Sequence, residues 1–281
     1  MIKLVGLSKS YGRSVGVDDI TIDLPDTGIY CLLGRNGAGK TTLMKLIAGH
    51  IPPTSGDVLV NGRAVSPRHM PTTVNYVEAN STQFNMTVSS LVAAAASLQH
   101  DFDMGFALTM VDRFRLPSGK KYKHLSFGMR TMVTAIITLA NNSPVILMDE
   151  PTLGFDAIMR DQFNALLLES YAAHPRLIIV STHLIDEIAK VAEHLLIINQ
   201  GRILVHADIA DLDEQAYTLS GMADAVKPLL VGLNCIGTTT AGAVMAAHIW
   251  DHRINPPSAV SVSRLSLQDF FIALVGGNNN A

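Results

Sequence analysis

Gly34-Arg35-Asn36-Gly37-Ala38-Gly39-Lys40-Thr41-Thr42 follows the apolar run Ile29-Tyr30-Cys31-Leu32-Leu33 and precedes a segment with apolar residues at Leu43, Leu46 and Ile47. Apolar strand, glycine-rich loop and helix, in that order, are the setting of a phosphate-binding loop. Glycine lets the backbone curl until several N–H groups converge on one anion. The helix start adds unpaired N–H groups and the positive end of its dipole. Gly34, Asn36, Gly37, Ala38 and Gly39 form the cradle, and Thr42 continues it into the helix. Lys40 is placed to neutralise β- and γ-phosphates, and the Thr41 hydroxyl can ligate Mg²⁺. The stretch predicts binding of a nucleoside triphosphate.

Composition narrows the remainder. At 281 residues the chain has room for one large domain and a small one. Its formal net charge of −3 gives no electrostatic case for nucleic acid, which favours clustered basic surfaces. The two cysteines, Cys31 and Cys235, form neither a disulfide framework nor a metal-site spacing, and a reducing cytosol fits them. No signal peptide or lipidation motif opens the sequence. Mean hydropathy is +0.28, so a membrane span has to be weighed. The longest uncharged stretch, Pro228 to Trp250, holds Asn234, Thr238 to Thr240, three glycines and His248. A spanning helix needs about 20 predominantly apolar residues, and the stretch reads as a buried small domain.

Outward from the loop, strands are expected at Ile2–Val5, Asp19–Leu24, Asp57–Val60 and Val74–Val77, with Asn61-Gly62 as a hairpin signal. Leu91 to Phe114 is Ala- and Met-rich and reads as helical. Met129, Met132, Val133, Ile136 and Ile137 recur with helical spacing just after Leu125-Ser126. Val145–Met148, Leu177–Val180 and Leu195–Ile198 are short continuous apolar runs, the mark of strands buried on both faces of a parallel sheet. Helices between them predict a right-handed α/β fold. The first of these runs ends in Asp149-Glu150. Ligands sit at the carboxyl ends of strands in such sheets, so Asp149 is placed to hold Mg²⁺ and Glu150 to polarise the water that attacks a γ-phosphate.

Five motifs occur in register: Gly34 to Thr42, Leu125-Ser126-Phe127-Gly128-Met129, Asp149-Glu150-Pro151-Thr152, Gly154-Phe155-Asp156 and Ser181-Thr182-His183. In this order they resemble the ATPase subunits of ABC transporters, over roughly residues 1–210. The resemblance implies a P-loop ATPase domain over 1–213, with a helical subdomain at about 80–141, and two subunits that pair head to tail around two ATP molecules. Ser126 and Gly128 would then face the partner's nucleotide. The signature usually reads Leu-Ser-Gly-Gly-Gln; Phe127 and Met129 depart from it, which leaves open a working site of exporter form or a weakened site in an asymmetric heterodimer. The same resemblance implies that His183 contacts the γ-phosphate, that Tyr11 stacks on adenine, and that Asp156 ends the loop crossing the dimer interface. A Gln expected near Tyr76-Val77-Glu78-Ala79 is missing, and either Glu78, a possible ligand of Mg²⁺ or its water, or Ala79 takes its place.

Residues 214–281 alternate strand-like and helical stretches, including Ala216–Leu219, Ala223–Val231 and a helix from Leu267 stopped by Gly276-Gly277, ahead of the Asn278–Asn280 tail. They are expected to form a small α+β accessory module. Ser266-Leu267-Gln268-Asp269-Phe270-Phe271 is similar to the tail of exporter ATPases of the drug, lipid or polysaccharide type. The resemblance thus implies an ATP-hydrolysing subunit of an exporter, which through ATP-dependent dimerisation drives a separately encoded transmembrane subunit that selects the cargo, and which works as a peripheral partner on the cytoplasmic face of the membrane. It pairs as a homodimer or with a second ATPase. Alternatives are an importer ATPase with a regulatory C-terminal module, and a soluble ABC ATPase acting on ribosome or DNA.

Overall fold

The computed structural model describes residues 1–79, 84–99 and 101–276. The expected start of the helical subdomain near residue 80, Gly277 of the expected helix stop, and the Asn278–Asn280 tail lie outside the described residues. The chain opens with β1 (Ile2–Tyr11), β2 (Ser14–Leu24), β3 (Gly28–Leu33) and α1 (Lys40–Ile47). β4 (Ser55–Val60) and β5 (Arg63–Ala64) follow, joined by Asn61-Gly62. Both turn residues have positive φ, 50° and 75°, as a two-residue hairpin matched to strand twist requires. After β6 (Val74–Glu78) come α2 (Val88–Leu98), α3 (Met104–Arg113) and α4 (Phe127–Ala140). β7 (Val145–Asp149), α5 (Ala157–Ala173), β8 (Leu177–Ser181), α6 (Ile185–Ile188), β9 (His194–Asn199), β10 (Arg202–Asp208) and α7 (Ile209–Gln215) complete the second stretch. The C-terminal part holds β11 (Ala216–Met222), α8 (Ala223–Val226), β12 (Cys235–Ala241), β13 (Val244–Trp250), β14 (Val260–Arg264) and α9 (Leu267–Gly276).

Six strands form the central sheet in the order β10-β9-β3-β8-β7-β6, parallel except for β10. Every residue of β3, β7 and β8 is buried, because both faces of the sheet are covered; this is why the three read as unbroken apolar runs. One face packs on α2 to α5, the other on α1 and the antiparallel sheet β2-β1-β4-β5. A third sheet, β12-β13-β11-β14, is antiparallel throughout and has its own small core around Tyr217, Leu219 and Ile249. Leu265, Phe270 and Val275, in and before α9, instead join the core beneath the central sheet.

Two expectations change, and the residue pair of a third is placed. The helix expected over Leu91–Phe114 is two helices, since Asp103 caps α3 by accepting the Phe106 N–H at 2.8 Å. The helix expected over Ala223–Val231 shortens to α8 and a 3₁₀ turn at Lys227–Leu230 that contains Pro228. The boundary expected between residues 213 and 214 falls inside α7. The uncharged Pro228–Trp250 stretch includes the β12–β13 hairpin, and among the described residues no helix is long and apolar enough to cross a membrane.

Arg176, only 3% exposed, closes the base of this arrangement. Its Nη2 donates to the Leu139 carbonyl (2.9 Å) and Ser170 Oγ (2.5 Å), and its Nη1 to the His174 carbonyl (3.2 Å) and Asn142 Oδ1 (3.3 Å). The C-terminal ends of α4 and α5 thereby supply carbonyls and negative dipole ends in place of a carboxylate. Burial pushes the guanidinium down to about 10, so it stays charged at neutral pH. Arg176→Met should cost about 3 kcal/mol, since several buried acceptors lose their donor. A lowered urea midpoint at unchanged m-value would report it.

Candidate nucleotide site

The phosphate loop leaves β3 and ends as α1 begins, with Gly37 (φ 81°) and Gly39 (φ 115°) in conformations that side chains resist. A Cβ at Gly34 would lie 2.6 Å from the Ile198 carbonyl oxygen, and one at Gly39 would overlap the Gly16 carbonyl. The loop is therefore wedged between the β1–β2 ribbon and β9. Lys40 is buried, and its Nζ donates to the Gly34 carbonyl at 2.6 Å. An ammonium held against its own loop is available for an incoming phosphate oxygen.

Asp149, at the end of β7, brings the other elements to this loop. Its Oδ2 accepts from Thr41 Oγ1 at 2.5 Å, and its Oδ1 accepts from Ser181 Oγ, the residue paired with it on β8. The Tyr76 hydroxyl reaches Oδ2 at 3.5 Å. Burial, with the Asp149 and Glu78 carboxylates, pushes the Tyr76 phenol well above its ordinary value, so it stays a neutral donor. A hydroxyl and a carboxylate oxygen side by side, both hard, suit a hard cation such as Mg²⁺.

Glu150 follows with φ 52°, a left-handed backbone for a non-glycine residue. Its N–H is held by the Ser181 carbonyl (3.1 Å) and Ser181 Oγ (3.2 Å). Its carboxylate meets His183 Nδ1 at 2.8 Å. Around these groups lies a cavity of about 510 Å³, lined by Tyr11, Gly16, Arg35 to Thr42, Glu78, Ala79, Asp149, Glu150 and Leu153. Tyr11 stands half-exposed at its rim, with Lys9 Nζ 5.3 Å from the ring centroid.

The remaining residues singled out in the sequence divide between the cavity and other places, and His183 touches Glu150 without lining the cavity. Glu78 borders the cavity but is paired with Lys45 at 3.0 Å, while Ala79 donates its N–H to the Asp149 carbonyl at 3.1 Å. Ser126 and Asp156 do not line the cavity. Each caps a helix: Ser126 Oγ accepts from Met129 N–H at 3.3 Å at the start of α4, and Asp156 Oδ1 from Met159 N–H at 2.8 Å at the start of α5. Gly128 is buried against Gly154 and Met159. Ser181 holds a role that the Ser181-Thr182-His183 motif does not announce; its place at the carboxyl end of an apolar run, level with Asp149, is the signal the sequence offers. Cys31 is fully buried and its thiol is pushed far up by that burial, which makes it a packing residue.

The family model described as "ABC transporter" matches residues 17–153. The "ABC transporter ATP-binding protein YtrB" of Bacillus subtilis is 28% identical over 216 residues, covering 76% of this chain and 73% of that protein. This chain carries an ABC transporter ATP-binding domain. The "Lantibiotic transport ATP-binding protein SrtF" of Streptococcus pyogenes is 27% identical over 210 residues, 74% of this chain and 91% of that protein. Further matches are named for import and for export. A solved ATP-binding subunit of an ABC transporter shares the fold at a TM-score of 0.67 and 23% identity, over 76% of this chain and 92% of that one. The chain is thus an ATP-binding subunit of an ABC transporter, and domains of this family bind ATP or ADP. Gly39→Ala should cost about 2 kcal/mol, since it combines positive φ with a backbone collision. It should also abolish the rise in melting temperature that Mg-ATP gives the unaltered chain, as read by thermal denaturation.

Proposed function

We propose that this subunit hydrolyses ATP and that hydrolysis drives export through a separately encoded membrane subunit. The observation that carries the ATPase reading is the meeting, in one cavity, of the phosphate loop, the Thr41–Asp149 pair and Glu150, whose carboxylate His183 touches from outside the lining. Thr41 and Asp149 would hold Mg²⁺, which when bound neutralises charge on the β- and γ-phosphate oxygens. Lys40 exchanges the Gly34 carbonyl for a phosphate oxygen. Loop N–H groups take the remaining charge, and Tyr11 stacks on the adenine. Glu150 orients a water and accepts its proton as the water oxygen attacks the γ-phosphorus. The bond to the β–γ bridging oxygen breaks, and ADP and inorganic phosphate leave. His183 holds the Glu150 carboxylate and reaches the γ-phosphate. Ser126 and Gly128 of a second protomer cover the same nucleotide from the other side, with Asp156 at the crossing.

Support for export comes from the Ser266–Phe271 tail, which takes the form of α9 with Ser266 accepting from the Asp269 N–H at 3.0 Å. A second reading, an importer with a regulatory C-terminal module, draws on the packing of α9 beside α6, close behind His183. There Asp186, Lys190, Arg264 and Ser266 border a cleft of about 430 Å³.

Glu150→Gln should lower turnover at least a hundredfold while leaving Mg-ATP affinity intact, and His183→Ala should behave alike; phosphate release and a nucleotide-binding titration read the two quantities. For transport, the Glu150→Gln chain locked with Mg-ATP should pull a multi-spanning protein from detergent-solubilised membranes at the cytoplasmic face. Recovery with ribosomal or DNA-bound partners alone would overturn that reading.

A further inference from the structure

Phe127 occupies a position where the family's signature motif usually carries glycine. It is the first residue of α4, and its ring is turned inward against Gly154. Gly154 has φ 81°, and a Cβ there would overlap the ring at Cδ1 and lie 2.5 Å from Cε1. The Arg130 guanidinium lies over the same ring, 5.9 Å from its centroid, while its Nη1 holds the Leu125 carbonyl at 3.2 Å. The neighbouring Gly128 is close-packed too, though less severely: a Cβ there would come within 3.0 Å of the Gly154 carbonyl oxygen and 3.2 Å of Met159 Sδ. The loop that starts α4 and the turn that leads into α5 are thus pinned to each other within one protomer. A glycine pair at 127 and 154 would leave a ring-sized void between them.

We propose that Phe127 is a positioning residue: its ring clasps the signature loop to the Gly154 turn, so that Ser126, Gly128 and Asp156 are presented to the partner protomer as one rigid unit. The inference rests on the dimer reading above. It accounts for Phe127 without turning the ring toward nucleotide, and it makes Gly154 the obligatory counterpart of Phe127. Aromatic packing of this kind loses its contacts wholesale when the ring is removed, because a void has no partner atoms to offer.

The test uses the full chain carrying Glu150→Gln, with dimerisation under Mg-ATP followed by sedimentation and own-site affinity followed with a fluorescent ATP analogue at concentrations below dimerisation. Phe127→Gly should weaken the locked dimer at least tenfold and leave own-site affinity within twofold. Gly154→Ala should do the same by expelling the ring. The double variant should stay well short of the roughly hundredfold to which two independent tenfold losses would multiply, because both singles remove the same ring contact and only the φ strain at Gly154 is separate. Phe127→Leu, which keeps an apolar filler and protects folding, should fall between. Additive losses, unchanged dimerisation in Phe127→Gly, or a matching fall in own-site affinity would overturn the clasp. Gly128→Asp separates the two claims. If it spares the locked dimer, the dimer reading itself fails; if it abolishes the dimer while Phe127→Gly does not, only the clasp fails.

Discussion

One buried carboxylate sets the register of the nucleotide site. Asp149 is 4% exposed, and a charge so placed is tolerated only when donors surround it. Thr41 provides one donor from the first turn of α1, and Ser181 another from the end of β8. The phosphate loop, β7 and β8 cannot shift along one another without uncovering that carboxylate. Ser181 serves twice, since its carbonyl and hydroxyl also hold the Glu150 N–H in its left-handed turn. The backbone strain at Glu150 is therefore carried by the same cluster that orders the loop, which is how strained residues persist beside reacting groups.

The protein separates functions along its helices. The N-terminal ends of α1, α4 and α5 carry the phosphate loop, the signature serine and Asp156, while the C-terminal ends of α4 and α5 converge on Arg176. Ser126 and Asp156 thus cap positive dipole ends, and Arg176 meets the negative ones of α4 and α5. The chain can build both faces from the same two helices.

What the sequence discloses is contiguous. The phosphate loop, Asp149-Glu150 and the strands buried on both sides are legible because each is a short run whose residue types have one physical use. The pairings β3–β8 and β7–β8 follow from topology once those strands are recognised. Contacts across long separations were not legible. Ser181 meets Asp149 across 32 residues, and nothing local marks its hydroxyl as the second donor. The division of α2 from α3 was hidden because apolar residues continue at Leu98, Phe102 and Met104 on both sides of the break, and only Asp103, as a cap, gives it away. For Phe127 the sequence leaves a working and a weakened signature site open, and it gives no sign that the ring lies against Gly154, 27 residues on.

The C-terminal sheet has its own core, yet α9 inserts Phe270 beneath the central sheet, where Trp250 meets it edge-on at 5.3 Å. A segment that lends residues to its neighbour's interior is not a bead on a string. Recombination that transplanted it onto another cassette would expose an aromatic pair there and leave a hole in the cassette it came from. Such a tail should be inherited together with the ATPase it packs on, its ancestry tracing that of the cassette rather than wandering among unrelated ones.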